Sequence, residues 1–273
     1  MRLYLSVDME GITGLPDFRF VRATENHYAR GSRIMTEEAN AIISEAFAQG
    51  VDYLLVNDSH STMTNIIIEE LHPDAEIITG GSKPFSMVQS LDRTFSGAIF
   101  AGYHARAGQP GVMSHTITLN IRNIYVDDVL VGEIGLNAYV AGYYGVPVIM
   151  IAGDDKACAE AKQLMPHIVT APVKQHVTRA STKSLTPTKA KQLLQEKVKT
   201  AIQSFDQMEP LTPPDHPTIR VEFANYGQAE YASLIPRSKI EEGTTIVRFE
   251  AENIVEAYRT IVAMATLAGH ATY

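Results

Sequence analysis

Short apolar runs recur along the first part of the chain, and each run ends abruptly in polar residues. The runs occupy residues 3–7, 53–56, 97–102 and 146–152. Apolar runs of this length are typical of strands that are covered on both faces. A helical repeat of apolar residues over 34–47 separates the first two runs. This order of strand, helix and strand predicts an α/β fold with a mostly parallel sheet flanked by helices.

The rest of the chain predicts an appended hairpin and a smaller C-terminal α+β lobe. The predicted elements are a strand at 113–121, a hairpin turn at Asp127 and Asp128, helices at 133–144 and 189–205, strands at 218–223 and 244–249, and a closing helix at 253–268.

Candidate chemistry collects where the predicted strands end. Ligands bind at the carboxyl ends of strands in open α/β sheets, because the loops converge there. The imidazoles and carboxylates expected at this edge are Asp8, Glu10, His60, His104 and Glu133. Cysteine is absent from the set, which favours a catalytic zinc or manganese site over a structural zinc site.

Each of these residues also has an ordinary structural explanation. An aspartate such as Asp8 often caps a helix or a turn, and Glu133 suits a helix N-terminus through the helix dipole. Single histidines such as His60 are more often surface or satisfied core residues than ligands. These explanations do not predict that all five residues gather at one edge, so the metal site is the stronger hypothesis.

Other catalytic and cofactor motifs are missing from the sequence. It contains neither the His-Glu-x-x-His motif of helical zinc proteases nor a Gly-x-Ser-x-Gly elbow. The glycines at 80–81 precede Lys83, but Pro84 stands where a phosphate loop has Ser or Thr. We interpret this segment as a plain turn.

Composition excludes several partners. The net charge is −8 and the basic residues form no cluster, so nucleic acid is not an expected partner. No apolar run reaches the roughly 20 residues of a membrane helix, and the N-terminus lacks a signal-peptide core, so we expect a cytoplasmic protein without a membrane partner. The single cysteine, Cys158, is interpreted as an ordinary helix thiol.

Polarity also suggests a division of the chain. Between about residues 171 and 187 the pattern weakens into Thr, Ser, Lys and Pro. This predicts an α/β metal-binding catalytic lobe over 1–180 and a C-terminal α+β lobe over 181–273. The boundary is soft by several residues, and one integrated domain is the alternative.

Several segments closely resemble the bacterial D-aminopeptidase family that is encoded with dipeptide-transport systems. The likeness covers nearly the whole chain and is loose over about 155–210. The matching segments are 6–11 (SVDMEG), 57–60 (NDSH), 102–106 (GYHAR), 114–115 (SH), 132–139 (GEIGLNAY) and 223–230 (FANYGQAE).

The resemblance implies a hydrolase with two zinc ions per subunit that removes N-terminal D-amino acids, of the D-Ala class, from short peptides. It implies that Asp8 bridges the metals, that Glu10 and His60 complete one site, and that His104 and Glu133 complete the other. It also implies ring-like homo-oligomers.

His115 is the candidate catalytic acid or base. The predicted strand places its ring on the apolar face with Ile117 and Leu119, and the matching family histidine is regarded as catalytic. The structural alternative is a histidine packed on that strand.

Two other function classes stay open at this point. The same ligands suit a metal-dependent dipeptide-binding protein without turnover. They also suit a two-metal hydrolase of another ester, phosphoester or cyclic amide.

Overall fold

The computed structural model describes residues 1–271. The strands are β1 (Arg2–Val7), β2 (Tyr53–Asp58), β3 (Glu76–Ile78), β4 (Gly97–Tyr103), β5 (Ile121–Val126), β6 (Val129–Val131), β7 (Val148–Asp154), β8 (Val169–Thr178), β9 (Ser181–Ser184), β10 (Thr218–Phe223), β11 (Lys239–Ile240) and β12 (Ile246–Glu250). The α-helices are α1 (Tyr28–Ala48), α2 (Glu133–Tyr143), α3 (Asp155–Leu164), α4 (Pro187–Gln203), α5 (Tyr226–Ala232) and α6 (Ile254–Ala268). Short 3-10 helices lie at Ile68–Glu70, Ser86–Val88 and Phe205–Gln207.

The larger sheet has the order β3-β2-β1-β4-β7-β8-β9. Its strands pair in parallel from β3 to β8, and β9 turns back antiparallel to β8. The central strands β4 and β7 are buried along their whole length, because the sheet is covered on both faces. The predicted mostly parallel α/β sheet is therefore confirmed.

A second, antiparallel sheet has the order β11-β12-β10-β5-β6. β10 alternates between buried and half-buried residues, as expected for a strand with only one face on the core. β5 and β6 form the predicted hairpin, with Asp127 in the left-handed conformation at its turn. The appended hairpin and the smaller α+β layer are thus present.

The two sheets do not divide the chain at one point. β5 and β6 precede residue 180 but pair into the small sheet, whereas α4 follows it and packs against α1 and β8 of the large sheet. The division into lobes of 1–180 and 181–273 stays a prediction, and residues 272 and 273 of the second lobe lie outside the described residues.

One expectation about local structure is wrong. Residues 113–120 form a loop rather than a strand, and the strand begins only at Ile121. Met113 and Ile117 adopt positive φ angles of 55° and 61°, which break an extended chain. Residues 171–187, where the sequence pattern weakens, mostly form the β8–β9 hairpin, whose polar composition reflects its position at the sheet edge.

Two glycines allow the ends of β1 and β4 to approach closely. Gly11 donates its backbone N–H to the carbonyl of Gly102 at 2.7 Å. Gly102 lies in a bulge of β4 with φ of +71°, and a Cβ there would meet the Asp8 carbonyl oxygen at 2.0 Å. The missing side chain at Gly102 therefore sets the position of the Asp8 backbone.

Gly102→Ala is expected to lower the free energy of unfolding by about 3 kcal/mol in urea titrations. About 1 kcal/mol comes from the left-handed conformation and the rest from the clash. The matched control is Gly50→Ala, which has φ of +85° but open space around its Cβ, and should lose only about 1 kcal/mol. Equal losses in the two variants would show that the close approach contributes nothing.

Candidate metal centre

The candidate site lies where three neighbouring strands end. Asp8 directly follows β1, His60 follows β2 by two residues, and His104 directly follows β4. Because β2, β1 and β4 are adjacent and parallel, their carboxyl ends share one sheet edge. Glu133 reaches the same place as the first residue of α2.

Asp8 stands between the two histidines, with one carboxylate oxygen toward each. Its Oδ1 lies 3.2 Å from His60 Nδ1, and its Oδ2 lies 3.4 Å from His104 Nε2. Glu10 Oε2 approaches His60 Nδ1 at 2.9 Å, and Glu133 Oε2 approaches His104 Nε2 at 3.3 Å. The structure thus brings together all five residues that the sequence placed at this edge.

Several of these atoms are buried without a hydrogen-bond partner among residues 1–271. They are Asp8 Oδ2, Glu10 Oε2 and His104 Nε2, whose contacts with one another and with the neighbouring site residues are ion-pair approaches without hydrogen-bond geometry. A buried polar atom without a partner carries a desolvation penalty, so such atoms require an explanation. Asp8, Glu10 and His104 each offer one ligand atom within 4.8 Å of the others, an arrangement that could hold a metal ion. The donor set fits zinc, which takes imidazole nitrogen and carboxylate oxygen.

Main-chain carbonyls orient the histidine rings. His60 Nε2 donates to the Val21 carbonyl at 2.8 Å, and His104 Nδ1 donates to the Ala105 carbonyl at 3.0 Å. In each neutral ring the other nitrogen is then unprotonated and faces the carboxylates. Metal-binding histidines in proteins commonly have such an outer partner, which fixes tautomer and ring orientation.

Burial and the close carboxylates shift the pKa values of the metal-free site. Burial, reinforced by Glu10, raises the pKa of Asp8 to about 8. Burial disfavours charge on His60 and His104, but Glu10 and Asp8 around one ring and Glu133 beside the other raise their pKa values well above the usual range. Burial also opposes charge on Glu10, yet His60 outweighs it and lowers that pKa. Without metal, protons neutralise this cluster.

His115 is half-buried and stacks on His104, with ring centroids 4.1 Å apart and an angle of 11° between planes. Its Nδ1 donates to the Met113 carbonyl at 2.9 Å, which leaves Nε2 free. Burial, together with His104, lowers its pKa. The predicted strand is wrong, since His115 lies in a loop, but His115, Ile117 and Leu119 all line the same pocket. His115 nevertheless reaches the site, and its position beside His104 and Glu133 also permits metal binding.

These residues line a pocket of about 380 Å³, within the range of small-ligand sites. Sequence reasoning missed Asn137 and Tyr258, which line the same pocket. Asn137 follows Glu133 by one helical turn on α2, so helical spacing could have identified it. Tyr258 comes from α6 in the distant C-terminal part, where the sequence carries no signal for it.

Lys83 and Cys158, two residues outside the candidate site, have structural roles. Lys83 donates to the Asn57 side-chain oxygen and to the Asp58 carbonyl, both at 2.6 Å, so it holds the end of β2 just before His60. Cys158 is buried on α3, where burial raises the pKa of its thiol to about 12. A thiol with such a pKa is a poor nucleophile, in agreement with its interpretation as an ordinary helix thiol.

Comparisons with known proteins point to one family. The profile of the peptidase M55 family, described as D-aminopeptidase, matches residues 1–263. A "D-aminopeptidase" of Bacillus subtilis (strain 168) is 56% identical over 268 residues, which are 98% of each chain. A solved structure, "Zn-dependent D-aminopeptidase DppA from Bacillus subtilis, a self-compartmentalizing protease", superposes with a TM-score of 0.99 at 55% identity and covers 100% of both chains.

Zinc binding to the metal-free protein at pH 7 is expected to release more than about one proton per subunit. The raised pKa values leave protons on Asp8, His60 and His104, and zinc bound by these side chains would require them to be deprotonated. As the pH rises through these raised pKa values the protons leave beforehand, so fewer are released and zinc affinity increases.

Calorimetric zinc titrations in buffers with different ionisation enthalpies measure this release. Zinc binding without proton release at pH 7 would contradict the shifts described for the site.

Proposed function

Because the chain belongs to the D-aminopeptidase family, we propose that it is a zinc-dependent D-aminopeptidase that removes N-terminal D-amino acids, of the D-Ala class, from short peptides. One observation of the site carries the proposal. The buried atoms Asp8 Oδ2, Glu10 Oε2 and His104 Nε2 converge in a pocket and lack hydrogen-bond partners among the described residues. Family membership favours this peptidase over a dipeptide-binding protein without turnover and over a hydrolase of other esters, phosphoesters or amides.

We assign two zinc ions to each subunit, with Asp8 as the bridge between them. Its two oxygens face opposite histidines, as a bridging carboxylate requires. Glu10 and His60 would complete one site, and His104 and Glu133 would complete the other. Three carboxylates and two neutral imidazoles carry a charge that largely offsets two divalent cations. Zinc bound here supplies a Lewis acid for the scissile carbonyl and lowers the pKa of a water.

His115 is assigned the role of acid or base. It lines the pocket, and its Nδ1–H is engaged by the Met113 carbonyl, so Nε2 is the atom that can accept and return a proton. Stacking on His104 fixes the plane of the ring. The pocket volume suits a short peptide, and Ile117, Leu136 and Val262 contribute apolar surface to its lining.

We also propose that the subunits form a ring-like homo-oligomer in the cytoplasm. Support for assembly comes from the description of the Bacillus subtilis structure as a self-compartmentalizing protease. No helix within residues 1–271 has the length and apolar character needed to cross a membrane. The single cysteine, Cys158, is free and buried, which suits a reducing compartment.

The proposed activity predicts that D-Ala-D-Ala is cleaved with a kcat/KM about 100-fold or more above that of L-Ala-L-Ala. The measurement is a kinetic panel of D- and L-dipeptides and phosphoesters with the zinc-loaded protein. Equal rates for the two dipeptides would refute the stereospecificity. Zinc-dependent turnover of phosphoesters alone would favour a different hydrolase.

The bridging role of Asp8 is tested by metal analysis. Asp8→Ala should lose both zinc ions, whereas His60→Ala should weaken chiefly one, because the two oxygens of Asp8 face both histidines. His167→Ala, at an exposed histidine outside the site, is the control and should keep both ions. One zinc ion retained by Asp8→Ala at wild-type affinity would exclude the bridge.

Removing the proposed acid or base should separate metal binding from catalysis. His115→Ala is expected to keep near wild-type zinc content and to lose at least roughly 100-fold in kcat. Zinc content, circular dichroism and steady-state kinetics check this. Most activity retained would make His115 a packing residue, and zinc lost in proportion to activity would make it a ligand.

A further inference from the structure

Glu10 lies on a loop whose conformation is held by a buried lysine. We call residues 9–15 the Glu10 loop. Lys174, on β8 of the large sheet, is 1% exposed. Its Nζ donates to the backbone carbonyls of Glu10, of Ile12 at 3.0 Å and of Leu15 at 2.7 Å. A lysine ammonium has three donors, and the Glu10 loop accepts all three.

Two backbone N–H groups of the same loop also donate to side chains. Glu38, buried on α1, accepts the Thr13 N–H at 3.0 Å. The Gly14 N–H donates to Ser184 Oγ on β9 at 2.7 Å. Carbonyls and amides of one short segment are thus held by side chains from three different elements.

Burial makes these contacts specific. An ammonium removed from water is costly unless its donors are satisfied and its charge is offset. The loop carbonyls satisfy the donors, and the buried carboxylates of Asp154 and Glu38 attract the charge. Another conformation of the Glu10 loop would leave the Lys174 ammonium without acceptors, so the loop has one favourable arrangement.

We propose that Lys174 is a positioning residue that holds the Glu10 loop in its zinc-binding conformation before any metal binds. Lys174 does not line the pocket, so its effect passes through the Glu10 backbone. The inference rests on the proposed zinc site, and it assigns a function to a buried charge that the catalytic mechanism does not use.

Lys174→Met tests the role, because it keeps an unbranched side chain of similar length and removes the donors. Zinc affinity, measured by competition with a chromogenic chelator, should fall at least about tenfold for the more affected ion. The control is Leu194→Ala, at a fully buried α4 position in the hydrophobic core cluster that also contains Ile12 and Leu15 of the Glu10 loop. It should lower the melting temperature without changing zinc affinity. A folded Lys174→Met protein with wild-type zinc affinity would overturn the proposal.

A second measurement applies even if Lys174→Met does not fold. In metal-free wild-type protein, amide hydrogen exchange at Thr13 and Gly14 should be as slow as in the zinc-loaded protein. Fast exchange without metal would show that zinc orders the loop, which also overturns the proposal. Wild-type protein that binds no zinc would instead contradict the proposed function, so the two failures are distinguishable.

Discussion

Three carboxylates buried within a few ångströms of one another are the constraint on which this site depends. Asp8, Glu10 and Glu133 are each at most 6% exposed, and their negative charges repel one another. Such a cluster is stable only with cations or protons between its members. The histidines supply protonated rings in the metal-free protein, and divalent metal can replace those protons. Folding and metal binding are therefore linked through the same atoms.

The large sheet brings these side chains together. Parallel strands β2, β1 and β4 deliver their following residues to one edge, and a glycine at 102 lets β4 approach the Asp8 backbone. The small sheet contributes differently, because the loop from β4 into β5 carries His115, and α6 brings Tyr258 to the pocket wall.

Much of the fold and the gathering of the candidate ligands were predictable from sequence. Strands buried on both faces appear in the sequence as continuous apolar runs, and the polar residues that follow them mark the carboxyl edge of the sheet. The alternating polarity around His115 predicts a strand that does not form. The positive φ angles at Met113 and Ile117, which interrupt the extended backbone, cannot be recognised from the sequence. Lys174 was not predicted, since a lone lysine in a polar strand reads as exposed. Its acceptors lie about 160 residues away in the chain.

The main-chain partners of the histidines have an evolutionary consequence. Val21, Ala105 and Met113 hold the rings of His60, His104 and His115 through carbonyl oxygens, which every amino acid possesses. Substitutions at these three positions alter size and packing but cannot delete the acceptor. The path of the backbone thus determines which ring nitrogen of each histidine carries the proton. This tautomer can be retained while the side chains at the three positions change.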